Sequence, residues 1–294
     1  MNPIKVNALT KDFGSNRGIF NLNFEIKAGE VVGFIGANGA GKTTTIRHLM
    51  GFMKPDYGVA EVLGFHCFEQ APQIQEHIGY LPGEISLFDD LSAQEFIYYI
   101  AELKGIKNTQ EADNLMKYFE LSSTTKIKKM SKGMKQKTAL VVAFMQHAPI
   151  LILDEPTSGL DPLMQQKFIE LIKKEKASGT TILMSSHIFD EIEHTCDRVL
   201  LIKDGEIKVD ESMTDIKKKR NKHYEIEFTS ESDAEEFKSF YPNSVTHKAN
   251  LTLIDKSDIT ELLNILHQFP IVDFNSRDQS LEEVFLSYYG GNES

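Results

Sequence analysis

Residues 36–43 read Gly36-Ala37-Asn38-Gly39-Ala40-Gly41-Lys42-Thr43, a G-x-x-x-x-G-K-T run with Thr44 and Thr45 directly behind it. Ahead of it, Val31-Val32-Gly33-Phe34-Ile35 is a short apolar stretch of the kind that forms a strand buried on both faces. Behind it, residues 43–50 have a helical pattern that stops at Gly51. The glycines let the backbone curl so that several N–H groups point at one phosphate, and the helix N-terminus adds its partial positive charge. Lys42 can reach β- and γ-phosphates, and the Thr43 hydroxyl can ligate Mg²⁺. A glycine-rich turn that binds nothing is the alternative. The bare pattern arises by chance in roughly one chain in a hundred of this size, and the strand–loop–helix setting lowers that further. A nucleotide site is expected.

With 294 residues the chain has material for one large or two ordinary domains. Its two cysteines, Cys67 and Cys196, support no disulfide framework and suit a reducing cytosol. No apolar run approaches the ~18 residues that span a bilayer, and Met1-Asn2-Pro3-Ile4-Lys5 lacks the apolar core of a signal peptide. Any membrane role therefore calls for a partner. The net charge of −11 argues against a nucleic-acid partner. That charge is uneven: residues 222–294 hold 14 acids and 5 bases, a net of −9, which leaves −2 for residues 1–221.

Along the chain, residues 4–32 read as short strands, with Phe20, Leu22, Phe24 and Ile26 alternating inward. Phe13 falls in a loop between them, where by itself it reads as core sooner than as site. Residues 59–63 and 78–82 read as strands; Ser92-Ala93-Gln94-Glu95 is a capping box opening a helix through Leu103, and residues 108–120 form a second helix. Phe96, Tyr98 and Tyr99 cannot all face one way on the first helix, which leaves one of them for a partner. Ile150-Leu151-Ile152-Leu153 ends in Asp154-Glu155, a buried parallel strand bringing two acids to its carboxyl end, where open α/β sheets bind ligands. Asp161 caps the next helix, with Pro162 at its first position. Residues 180–185 are again a buried strand, and His187 lies just past it. Residues 199–202 with Asp204-Gly205 close this domain with a hairpin. Lys217-Lys218-Lys219-Arg220 and Lys222 read as a solvated helix end or linker sooner than a contact with lipid headgroups. Beyond them, strands at 224–228, 244–247 and 251–254 interleave with helices near 233–240, 258–267 and 280–288, a small α+β module without a chemical motif.

In this order and spacing the motifs over residues 3–215 resemble the ATP-binding cassette (ABC) of ABC transporters. Residues 36–43, with Thr44, match the Walker A loop, residues 150–154 match Walker B, and Glu155 stands in the place of the catalytic glutamate. Ser158-Gly159-Leu160-Asp161 matches the D-loop and His187 the switch histidine. Phe13 falls where the family stacks an aromatic on the adenine ring. Two places depart from the pattern. The signature Leu-Ser-Gly-Gly-Gln is Met130-Ser131-Lys132-Gly133-Met134 here, which keeps Ser131 and Gly133 and adds the cation of Lys132. The Q-loop glutamine is replaced by Gly83, with Glu84 next in line as a carboxylate suited to a hard cation. This pattern, together with the ending Ser280-Leu281-Glu282-Glu283-Val284-Phe285, looks like the bacitracin- and lantibiotic-type exporter ATPases.

The resemblance implies an α/β fold: a P-loop cassette with a mixed sheet core, an N-terminal antiparallel β region and a helical subdomain at about 84–145. Residues 1–215 would be the ATP-binding domain and residues 222–294 an accessory α+β domain. It implies an ATPase subunit at the cytoplasmic face of the cell membrane. This subunit would pair head to tail with itself or a paralogue, and drive an integral membrane permease that exports a drug, antimicrobial or amphipathic peptide. ATP and Mg²⁺ would be bound through Phe13, the Walker A residues, Ser131, Gly133 and Asp161, with Thr43, Asp154 and Glu84 toward the metal. Glu155 would be the general base and His187 the γ-phosphate contact. A non-transport ABC clamp would call for a coiled-coil insertion or tandem cassettes. A plain P-loop kinase or GTPase would not need residues 131–134 or 158–161.

Overall fold

The structure, a computed structural model, describes residues 2–122, 124–255 and 259–289. It contains two compact units, Met1–Met213 and Thr214–Ser294.

The first unit opens with β1 (Ile4–Asp12) and β2 (Gly18–Ile26), an antiparallel pair, followed by β3 (Val31–Ile35), which leads into the phosphate loop and α1 (Lys42–Leu49). Next come β4 (Tyr57–Val62), β5 (Phe65–His66), α2 (Ala71–Gln75) and β6 (Ile78–Leu81). The helical region holds α3 (Ala93–Leu103), α4 (Gln110–Tyr118) and α5 (Lys132–Phe144). The chain then returns through β7 (Ile150–Asp154), α6 (Pro162–Ala177), β8 (Thr181–Ser185), α7 (Phe189–Thr195), β9 (Arg198–Lys203) and β10 (Glu206–Ser212).

Strands β2-β1-β4-β5 make an antiparallel sheet, and β10-β9-β3-β8-β7-β6 a mixed one in which β10 alone runs antiparallel to its neighbour. Every residue of β3, β7 and β8 is buried, with Phe34, Ile152 and Leu183 sharing a core with Leu22, Phe24 and Ile26 of the antiparallel sheet. One core, including Phe34, Ile46, Leu49, Ile152, Leu183 and Leu200, anchors α1 to these strands and so holds the phosphate loop above them. The capping box at Ser92 is formed: its hydroxyl accepts from Glu95 N–H while the Glu95 side chain accepts from Ser92 N–H. On α3, Phe96 is buried, and Tyr99 is the aromatic left exposed.

The alternation expected in β2 holds for Leu22, Phe24 and Ile26 but not for Phe20; Ile19 is the buried residue there. Asn21 has φ +51 and the β1–β2 register shifts nearby, so a bulge reverses which side chains point inward.

Helix α8 (Met213–Lys219) begins at the last residue of the first unit and leads, in the second, to β11 (Lys222–Phe228), α9 (Glu231–Lys238), β12 (Val245–His247), β13 (Asn250–Asp255), α10 (Ile259–Leu266), β14 (Ile271–Asp278) and α11 (Leu281–Tyr289). The helix expected from residue 258 begins at Ile259; Asp258 lies outside the described residues. The antiparallel sheet, ordered β12-β13-β11-β14, has its own core around Tyr224, Ile226, Phe228, Phe237, Leu253 and Leu262. Strand β14 was not expected. Its sequence, IVDFNSRD, is polar over its second half and almost wholly exposed, and the free edge of β11 pairs with it all the same.

Candidate active site

Three neighbouring parallel strands, β3, β8 and β7, end at one edge of the sheet, so the loops that follow them meet. The first carries the phosphate loop. Gly41 has φ +116, and a Cβ there would lie 2.6 Å from Ile19 Cγ2; at Gly36 it would lie 2.5 Å from the Ile202 carbonyl oxygen. Only glycines let this loop sit so close to the sheet. Gly41 is the N-cap of α1 and offers no side-chain bond, so first-turn amides remain for an anion. Asn38 and Gly39 form the exposed tip, with open space around Gly39, and Ala40 is buried beneath it. Thr44 lies in the first turn of α1, its carbonyl 2.8 Å from His48 Nδ1. Lys42 is 6% exposed. Its ammonium donates to the Gly36 and Ala37 carbonyls at 2.6 and 3.3 Å, and stands 3.8 Å from Glu155 Oε1. Burial pulls its pKa down, against the raising charges of Glu155 and Asp154. A buried ammonium resting on neutral carbonyls is well matched to a phosphate.

Asp154, the last residue of β7, is 1% exposed. Its Oδ1 accepts from Ser185 Oγ and its Oδ2 accepts from Thr43 Oγ1 at 2.8 Å. Among the described residues no cluster of three or more His, Cys, Asp or Glu is arranged to hold a metal ion unaided. Thr43 and Asp154 do supply paired oxygens, the donor set that suits Mg²⁺ sharing its shell with phosphates and waters. Gly83 comes against the same carboxylate: a Cβ there would lie 2.9 Å from Asp154 Oδ2. The residue in the place of the Q-loop glutamine is thus one whose side chain would press on a pinned carboxylate. Glu84, next to it, is exposed and shares a cleft with Lys132, Lys135 and Gln136.

Glu155 has φ +52, a left-handed conformation that costs about 1–2 kcal/mol in a residue with a side chain. Its N–H donates to the Ser185 carbonyl and hydroxyl at 3.2 and 3.0 Å, and Gln136 Nε2 donates to its carbonyl at 3.2 Å. These bonds turn its carboxylate toward Lys42 on one side and His187 on the other, where the Nδ1–H of His187 donates to Oε2.

Phe13 lies in the loop between β1 and β2 and is 54% exposed, which removes the core reading and leaves its ring open to a flat ligand. Ser131 caps α5 and Asp161 caps α6 through Met164 N–H at 3.0 Å. Gly133 packs on Gly159, where a Cβ would lie 2.7 Å from that residue's oxygen. The hydrogen bonds of Ser131 and Lys132 go to Met134, Lys135 and Ser158. Phosphate loop, Asp154, Glu155 and His187 are thus joined by direct contacts; Ser131, Gly133 and Asp161 are joined through the loop of residues 155–161.

Ser185, Gln136 and Glu191 support this site without having been singled out in the sequence. Glu191 belongs to the acidic run Asp190-Glu191-Ile192-Glu193 of α7, yet it is 3% exposed. Its Oε2 accepts from Thr157 Oγ1 at 3.1 Å and Ser186 Oγ at 2.7 Å, and Oε1 is buried without a partner. Burial pushes its pKa up to about 7, the hydroxyls pull it down, and the charge of Glu155 adds to the rise. A carboxyl that holds its proton more tightly folded than unfolded stabilises the fold below the ordinary glutamate value, and that contribution is lost as pH rises through about 7. Glu191→Gln carries no charge at any pH. Its melting temperature relative to the parent should therefore rise by about 5 °C between about pH 5.5 and 8.5 in scanning calorimetry; a constant difference would contradict a buried, titrating Glu191.

The chain matches the ABC transporter family over residues 19–158. The bacitracin transport ATP-binding protein BcrA of Bacillus licheniformis is 32% identical over 298 residues, covering 98% of this chain and 97% of that protein. Among solved structures, an ATP-binding subunit of an ABC transporter shares 31% identity at a TM-score of 0.68, over 73% of this chain and 92% of that one. The cassette MJ0796, as a post-hydrolysis dimer bound to ADP and Pi, shares 25% identity at a TM-score of 0.64, over 71% of this chain and 98% of that one.

Proposed function

Because this chain belongs to the ATP-binding proteins of ABC transporters and is an ATPase of that family, we propose that it is the energising subunit of an exporter. It works at the cytoplasmic face of the cell membrane, bound to an integral membrane permease. Two copies, or this chain and a paralogue, meet head to tail. Each nucleotide then lies between the phosphate loop of one copy and Ser131, Gly133 and Asp161 of the other, with Phe13 against the adenine.

Lys42 leaves the loop carbonyls for the β- and γ-phosphates. Thr43 and Asp154 would hold Mg²⁺, with Glu84 as a further carboxylate toward it. Mg²⁺, when bound, offsets charge on the phosphate oxygens. Glu155 takes a proton from the attacking water, and His187 turns from Glu155 to the γ-phosphate. The helical region, residues 84–145 with Tyr99 exposed, passes the motion to the permease. Residues 222–294 serve dimer contact or regulation; their separate core supports a unit of its own.

The observation that carries the hydrolytic reading is the Glu155 carboxylate between Lys42 and His187 at the end of β7. Likeness to the bacitracin transport protein over 98% of the chain supports export of a drug, antimicrobial or amphipathic peptide. The test is purification of the tagged chain from its own membranes in mild detergent. A membrane protein of several spans should co-purify and raise ATP turnover about threefold or more over the chain alone. Recovery free of membrane protein, or with ribosomes or DNA, would overturn transport in favour of a clamp.

A further inference from the structure

The first turn of α5 holds Lys132 and Lys135 and no acid. Cations at this end of a helix oppose the macrodipole, so position 132 breaks a local rule, as functional positions do. Lys132 also occupies the place of a signature glycine, which has no side chain to offer. Its Nζ donates to Ser158 Oγ at 2.8 Å. Its stem lies across Gly159: a Cβ there would be 3.1 Å from both Lys132 Cγ and Cδ, and the φ of +81 already favours glycine. Beside it, the close approach of Gly133 to the Gly159 oxygen leaves no room for a side chain. One turn on, Gln136 Nε2 donates to the Pro156 carbonyl at 2.6 Å. The start of α5 is therefore laid along residues 155–159, and the ammonium of the exposed Lys132 is bonded to Ser158 toward the far end of that segment.

We propose that Lys132 is a positioning residue that ties residues 158–161 to the first turn of α5, so that both meet a second copy's nucleotide as one unit. The proposal rests on the head-to-tail reading above. A short loop with a left-handed glycine has freedom that the tether removes, and misplacement by a fraction of an ångström is felt in the chemical step more than in ground-state binding.

The test is steady-state ATP hydrolysis by the full chain, with its permease where turnover requires it, for the parent, Lys132→Ala, Ser158→Ala, the double variant and Lys132→Arg. Each alanine variant should lower kcat about tenfold with KM for ATP within about twofold. The double variant should be no worse than either single one, because both remove one contact. Lys132→Arg should restore at least about half of the loss, a rescue that a general packing defect would not show. Melting temperatures should stay within about 2 °C of the parent. The proposal is overturned if Lys132→Ala keeps the parent's kcat. It is equally overturned if Ser158→Ala is unaffected while Lys132→Ala raises KM, which would make Lys132 a phosphate ligand, or if the two losses multiply. Specific activity of the parent that is independent of protein concentration, with no ATP-dependent dimer, would instead overturn the head-to-tail reading, and this proposal with it.

Discussion

Glu155→Gln lowers ATP turnover by about 10²–10⁴-fold and leaves ATP binding close to that of the parent. The substitution keeps the shape of the side chain and loses its capacity to take a proton from water. The backbone that aims it does not depend on the carboxylate: Glu155 N–H is held by Ser185, and its carbonyl by Gln136. The altered group therefore stays in place, and loss of activity reports chemistry rather than unfolding. Removing a negative charge that would face the γ-phosphate also favours the nucleotide-bound state, so the variant should collect as an ATP-bound dimer. Single-turnover hydrolysis, a nucleotide-binding titration and size exclusion with ATP measure the three effects. Turnover within about threefold of the parent would remove Glu155 from the role of general base.

Lys42→Ala acts at the opposite step. The ammonium is buried and bonded to the neutral carbonyls of Gly36 and Ala37, and the Glu155 carboxylate, 3.8 Å away, offsets its charge only in part. A phosphate offers the charge-assisted bonds those carbonyls lack. Removing Lys42 should weaken ATP binding by about 100-fold, or about 3 kcal/mol. Without nucleotide the substitution relieves a desolvated charge but leaves Glu155 and Asp154 without their cation, so the melting temperature should differ from the parent's by no more than about 3 °C. Calorimetric titration and a melting curve with and without ATP test both halves. Affinity within about threefold of the parent would show that the loop amides hold the phosphates without this lysine.

Much of the site was legible because its chemistry is local. The strand before the phosphate loop, the glycines within it, the acids ending β7, and the caps Ser92 and Asp161 each act on residues a few positions away. Periodicity and residue type therefore suffice to place them. The fold class follows from the same signals, since a phosphate loop between a buried strand and a helix needs a parallel sheet above which to sit.

Other features depend on segments distant in sequence. Nothing in the sequence separates Glu191 from the acids beside it on α7; only the packing against residues 157 and 186 buries it and leaves one oxygen unpartnered. Phe20 lost its inward position to Ile19 through a bulge set by the pairing of β1 with β2. The second half of β14, Asn275-Ser276-Arg277-Asp278, has little β character of its own and pairs because β11 offers an edge. Gly83 read only as a missing glutamine, whereas the structure places a pinned Asp154 carboxylate where a side chain would begin. Lys132 read as an added cation near a partner's γ-phosphate, whereas its ammonium donates to the Ser158 hydroxyl, 26 residues further on. Residue types and short spacings determine what chemistry the chain can carry out. Strand order and register determine which of those groups touch, because non-local contacts form only once the whole sheet has closed, and no local propensity encodes them.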